Sequence, residues 1–84
     1  MSKTIMIIGA KSDIARAIAH KFASEGYNLQ LLARKIDSLQ RDMADLKIRY
    51  RTDVDCFEFD VLDFKSHVGF VDALLVLPDV VISL

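Results

Sequence analysis

The chain opens on Thr4-Ile5-Met6-Ile7-Ile8, an apolar and largely β-branched run closed by Gly9. An unbroken apolar run of this length predicts a strand buried on both faces. From Ser12 the period lengthens to that of a helix. Counted at about 100° per residue, Ile14, Ala15, Ile18, Ala19 and Phe22 gather within one arc of about 140°, with Arg16, His20 and Ser24 opposite. Ser12 suits the N-cap, Asp13 the positive end of the helix dipole, and Gly26 the C-terminal stop. Asn28 to Ala33 then predicts a second strand. Ile36, Leu39, Met43, Leu46 and Tyr50 recur in alternating steps of three and four, the apolar stripe of a second helix. Asp45 and Arg49 stand one turn apart on its wet side.

Val54 to Phe59 alternates apolar and acidic residues, as a strand nearer a sheet edge does. Asp63 can cap a third helix with Phe64, Val68, Val71 and Leu75 inward and Gly69 as its weak point. Val80-Val81-Ile82-Ser83-Leu84 closes the chain as a fourth strand, with Pro78 just before it. The order is β-α-β-α-β-α-β. Strands alternating with helices require a parallel sheet, right-handed crossovers and helices on its faces, so the expected fold class is α/β. The fourth strand is apolar enough to belong inside a sheet, and an exposed edge there invites association. A second copy of the chain or another partner covering that strand is therefore expected.

Composition narrows the picture. Eighty-four residues allow one small domain, expected to run over 1–84. A chain of that size buries only about 60–65% of its unfolded surface. A net charge of −1 supplies no general field for nucleic acid or an anionic membrane, so anion binding must come from local patches. The single cysteine, Cys56, cannot form an internal disulfide, which suits a reducing cytoplasm. One Cys and two separated His do not make a zinc site. The first apolar run is too short for a signal peptide, and Ala73 to Leu84 is broken by Pro78-Asp79 and short of the ~20 residues of a membrane helix. A soluble cytoplasmic protein is the expectation.

Chemistry concentrates at two loops. Gly9-Ala10-Lys11-Ser12-Asp13-Ile14-Ala15 joins the first strand to the first helix, where backbone N–H groups and the helix dipole converge on an anion such as a pyrophosphate. Gly9 permits the tight turn, Ser12 offers a hydroxyl, and Ala15 lets the helix sit close to the sheet. The spacing of a strict G-x-G-x-x-G is absent, and an ordinary βα loop with a good N-cap is the plainer alternative. At the end of the second strand, where NAD-binding units place an acid, stands Ala33, followed by Arg34 and Lys35. A missing acid beside a base suits a ribose 2′-phosphate. Two solvated bases on a loop are the alternative, and Lys11 is either an added point charge or an exposed lysine.

Gly9 through Ala19, with Leu31-Leu32-Ala33-Arg34, Asp60-Val61 and Asp79 to Ser83, resembles the N-terminal third of the short-chain dehydrogenases/reductases. Their loop reads T-G-x-x-x-G-[IL]-G. The resemblance covers the whole chain and implies a Rossmann-like sheet of order 3-2-1-4, ending here at its fourth strand. It also implies NADP, with NAD the weaker choice, and hydride transfer to or from a small-molecule carbonyl or alcohol. By the same resemblance the Gly9 loop, with Lys11, Ser12, Asp13 and the Ile14 amide, faces the phosphates, and Arg34 meets the 2′-phosphate. Asp60 holds the adenine amino group, Val61 lies beside the ring, and Ser83 and Leu84 stand in the place of the family's Asn pair. Ile8, Asp13 and Ala15 depart from the loop pattern, and Asp13 puts an acid near the pyrophosphate.

The family's catalytic Tyr-x-x-x-Lys pair is not in this chain. Tyr27 and Tyr50 are followed four residues later by Leu31 and Val54. His20 is expected to face solvent, Asp53 and Asp55 to be solvated, and Cys56 to pack among apolar residues. These 84 residues are thus expected to bind cofactor without completing the reaction alone. A non-catalytic nucleotide-binding or interaction module, complete at this length, is the rival expectation.

Overall fold

The computed structural model describes residues 3–9, 13–37, 39–58 and 77–83. The elements run β1 (Thr4–Ile8), α1 (Asp13–Ser24), β2 (Asn28–Ala33), α2 (Leu39–Tyr50), β3 (Val54–Glu58) and β4 (Val80–Ser83). The four strands form one parallel sheet in the order β3-β2-β1-β4. This is the Rossmann-like arrangement expected from the sequence. The expected third helix, and Phe59 and Leu84 at the ends of the expected third and fourth strands, lie outside the described residues.

After Thr4, β1 is apolar at every position because it is paired on both sides. Ile5 and Ile7 lie opposite Leu29 and Leu31 of β2 and opposite Val80 and Ile82 of β4, and both are 0% exposed. Successive strand residues point to opposite faces, so these side chains share one face of the sheet. That face is the core, where they join Ala33 and Val54 under the two helices. The reverse face presents Met6 and Leu32, with Ile8 and Phe57 packed beside them. β3 and β4 are the outermost described strands, as the alternation of β3 suggested. β4 takes the edge place that the expected order 3-2-1-4 gives it, and Val81 is 55% exposed.

α1 meets the sheet through Ala15, Ala19 and Ala23, a stripe with a four-residue repeat. Ile18 and Phe22 flank it half-buried, whereas Ile14 is 66% exposed. The stripe is therefore rotated away from Ile14, toward the alanines, whose small side chains let the helix backbone approach the strands. α2 buries Leu39 and Leu46, with Met43 and Tyr50 packed partly beneath it. Ile36 precedes the helix and its carbonyl accepts from the Leu39 amide at 2.8 Å. The expected Asp45–Arg49 pair forms at 3.3 Å.

Helix ends and strand starts are closed by local chemistry. α1 ends in a Schellman turn: the Gly26 N–H donates to the Ala23 carbonyl, and the Tyr27 N–H to the Phe22 carbonyl, both at 3.0 Å. Phe22 and Tyr27 seal it edge to face, their ring centroids 4.9 Å apart. Gly26 takes φ +89°, a conformation that costs a side-chain-bearing residue energy. At the end of α2 the corresponding left-handed residue is Arg51, at φ 53°. Asp79 fastens β4 to β1 twice. Its carboxylate accepts from the Thr4 N–H, and its own N–H donates to the Thr4 carbonyl, each at 2.8 Å. The first is a charge-assisted bond, the stronger kind.

The two helix ends make opposite predictions. Arg51→Gly removes left-handed strain and should stabilise the fold by up to about 1 kcal/mol. Gly26→Ala should destabilise it by roughly 1 kcal/mol, although the added methyl meets nothing within 4 Å. Chemical denaturation of the two variants measures both; equal effects of the same sign would refute the backbone argument.

Candidate functional site at the carboxyl edge of the sheet

Parallel strands put all their carboxyl ends on one edge, and the register fixes what meets there. Ile8 stands beside Leu32 of β2 and beside Ser83 of β4, and Leu32 beside Phe57 of β3. Gly9 is the next residue after Ile8, in the centre of that edge. Its N–H donates to the Leu32 carbonyl at 2.9 Å, extending the β1–β2 ladder by one bond. Its φ of +86° then turns the chain sharply toward α1. The Gly9 amide is thus committed to the sheet, and N–H groups for a ligand must come from beyond it. The opening turn of α1 supplies such groups, because its first amides have no intrahelical acceptor.

Asp13 is the first residue of α1 and is exposed, as is Ile14. Arg34 follows the buried Ala33 directly, is exposed, and makes no ion pair with any described residue. Ser83 is exposed at the end of β4. The topology therefore brings Gly9, Asp13, Ile14, Arg34 and Ser83 to one edge. Lys11, Ser12, Asp60 and Val61 lie outside the described residues. A left-handed glycine, a helix opening and an exposed arginine just after β2 are groups that could hold the phosphates of a dinucleotide. Asp13 is the one described member whose charge opposes them.

Other polar residues fall elsewhere. His20 does not face solvent: its Nδ1 lies 2.9 Å from the Tyr50 hydroxyl, and the two rings meet edge to face at 5.6 Å. The polar flank of α1 is a seam with α2, which a helical wheel of α1 alone does not show. Arg16 lies on the same seam, 3.2 Å from Asp42. Asp53 and Asp55 are exposed at the opposite edge of the sheet. Among the described residues there is no group of three potential metal ligands, and no helix long and apolar enough to cross a membrane. Cys56 is half-buried against the core. Burial raises its thiol pKa above the ordinary value, Asp55 and Asp42 add to the rise, and Lys47 opposes it.

Comparison with known proteins identifies the family. The model of the short chain dehydrogenase family matches residues 3–77, and the chain belongs to that family. It is 31% identical over 81 residues to 3-dehydrosphinganine reductase TSC10A of Arabidopsis thaliana, covering 89% of this chain and 25% of the relative. It is 33% identical over 73 residues to the NADP-dependent 3-hydroxy acid dehydrogenase of Schizosaccharomyces pombe, covering 86% of this chain and 28% of the relative. The chain thus spans about a quarter of these curated relatives. Among solved structures, L-sorbose reductase from Gluconobacter frateurii, complexed with NADPH and L-sorbose, superposes with a TM-score of 0.81 at 30% identity, over 95% of this chain and 32% of that one. An alcohol dehydrogenase from Thermococcus sibiricus complexed with 5-hydroxy-NADP gives 0.79 at 32% identity, over 86% and 31%.

A raised thiol pKa predicts a quiet cysteine. At mildly alkaline pH, Cys56 should react with iodoacetamide several-fold more slowly in the native than in the urea-unfolded protein. The sign for stability follows: the folded state holds the proton more tightly, so the contribution is full below the unfolded thiol's pKa and declines as pH rises through the thiol range. Equal alkylation rates in both states would contradict the burial argument.

Proposed function

We propose that these residues are the N-terminal cofactor-binding segment, within a single domain, of an NADP-dependent oxidoreductase of this family. The enzyme moves hydride between the nicotinamide and a small-molecule carbonyl or alcohol. The observation that carries the reading is Arg34, exposed and without a described ion-pair partner at the end of β2, where an NAD-selective site needs an acid. The turn at Gly9 and the opening of α1 receive the pyrophosphate, with the Ile14 amide as a donor. Lys11 and Ser12 extend that loop, Asp60 and Val61 hold the adenine, and Ser83 lines the far side. The names of the S. pombe relative and the NADPH complex of L-sorbose reductase support NADP over NAD. Family membership supports this reading over a stand-alone binding module. The chain contains no Tyr-x-x-x-Lys, so in this reading the proton-transfer residues belong to another part of the protein.

The guanidinium of Arg34 makes a planar, charge-assisted contact with a phosphate, worth ~1.5–3 kcal/mol. In the intact protein Arg34→Ala should therefore weaken NADPH binding roughly 10- to 150-fold more than NADH binding, read by fluorescence titration. Equal losses for both cofactors would remove the 2′-phosphate assignment. Asp13 acts on what the two cofactors share. A carboxylate ~4 Å from a pyrophosphate charge costs about 1 kcal/mol in water, so Asp13→Asn should tighten NADPH and NADH alike by roughly fivefold at low salt. No change in either would mean that Asp13 points away from the phosphates.

A further inference from the structure

α1 and α2 both begin at the carboxyl edge and run back along the same face of the sheet, so residues at equal depth in the two helices stand side by side. Arg16 is the fourth residue of α1 and Asp42 the fourth of α2. Their side chains pair at 3.2 Å, with 49% and 28% of their surfaces exposed. Of the three ion pairs among the described residues, the other two join residues four apart in sequence and tie no two elements together. The Arg16–Asp42 pair is thus the ionic tie between helices. It lies beside a pocket of about 380 Å³ lined by Arg16, Asp37, Arg41 and Asp42.

The position of this tie gives it a consequence for binding. One turn before Arg16 lies the opening of α1, assigned above to the pyrophosphate. Eight residues before Asp42, directly after β2 and ahead of α2, lies Arg34, assigned to the 2′-phosphate. The sheet fixes where β1 and β2 end, and beyond Ala33 the first described side chain that is fully buried is Leu39, at 1% exposed. Beyond the strand ends, the distance between the two phosphate-binding segments depends on how the first turns of the helices sit against each other. The second polar tie, from His20 to Tyr50, acts at the far end of α2 and does not restrain that first turn.

We propose that Arg16 and Asp42 are positioning residues for cofactor selectivity. Their ion pair sets the spacing between the pyrophosphate-binding opening of α1 and the 2′-phosphate-binding Arg34. The inference rests on the 2′-phosphate reading of Arg34 and adds residues that touch no part of the cofactor.

The test is a double-mutant cycle in the intact protein, measuring the ratio of NADH to NADPH dissociation constants for wild type, Arg16→Asp, Asp42→Arg and the double charge swap. Arg34→Ala serves as the reference for lost selectivity. A partly exposed pair is expected to change the ratio by about two- to fivefold in each single variant, and the swap should restore it. Circular dichroism and melting temperature report folding alongside. Equal loss of both affinities, with the ratio unchanged, would reduce the pair to a structural tie and overturn the proposal. So would a swap that restores the melting temperature but leaves selectivity impaired. A wild-type protein with no preference, or an Arg34→Ala variant that keeps the preference, would overturn the 2′-phosphate reading itself and the proposal with it.

Discussion

The hydrogen-bonded ladder on both sides of β1 is the constraint from which the rest of this structure follows. A strand paired on two edges and covered on its helical face must be apolar at nearly every position, and Thr4–Ile8 meets that demand. Because the pairing is parallel, each return connection crosses over the sheet, and the helices of the first two crossovers share one face. The same parallelism brings the strands' carboxyl ends and the helices' amino ends to one edge. Backbone geometry leaves free helix N–H groups at that edge, which suits an anion without a basic protein overall.

Small residues decide how closely that edge is assembled. Ala15, Ala19 and Ala23 let α1 lie against β1 and β2, whereas the larger Ile18 and Phe22 fill the margins. An alanine seam contributes little apolar area, so the core draws its burial from Ile5, Ile7, Leu29, Leu39, Leu46 and Val54. The division of labour is physical. Aliphatic side chains on the strands and α2 supply the hydrophobic stabilisation, and alanines on α1 supply the close approach of that helix to the strands.

The periods of two and 3.6 residues made the strand and helix order legible, and the Schellman turn was legible in Gly26 because few other residues take that conformation at low cost. Gly9 and Arg34 were legible for a related reason: a positive-φ turn and a base after a buried strand are local features. What escaped was relational. Ile14 joined the apolar arc of α1 on a wheel, but the sheet selected the alanine stripe beside it. The partners of His20 and Arg16 were not legible because a wheel contains one helix, and Tyr50 and Asp42 belong to the next. Asp79 read as part of a break before the last strand, whereas it brackets Thr4 with two hydrogen bonds. A partner 75 residues away leaves no trace in a local pattern.

That failure has a rule in it. In a parallel α/β sheet, consecutive helices on one face start from the same edge and run in the same direction. Residues of equal rank in such helices are therefore neighbours, and opposite charges at equal rank become candidates for an inter-helical tie. Arg16 and Asp42 satisfy that condition at rank four. The ends behave differently: Tyr50 reaches His20 although their ranks are twelve and eight, because aromatic side chains span the offset that two unequal approaches to the sheet create. Rank thus predicts contacts best near the edge where both helices begin, the edge where a dinucleotide would lie. There, in the proposed reading, small changes in helix position translate into the spacing of the groups that would meet the phosphates.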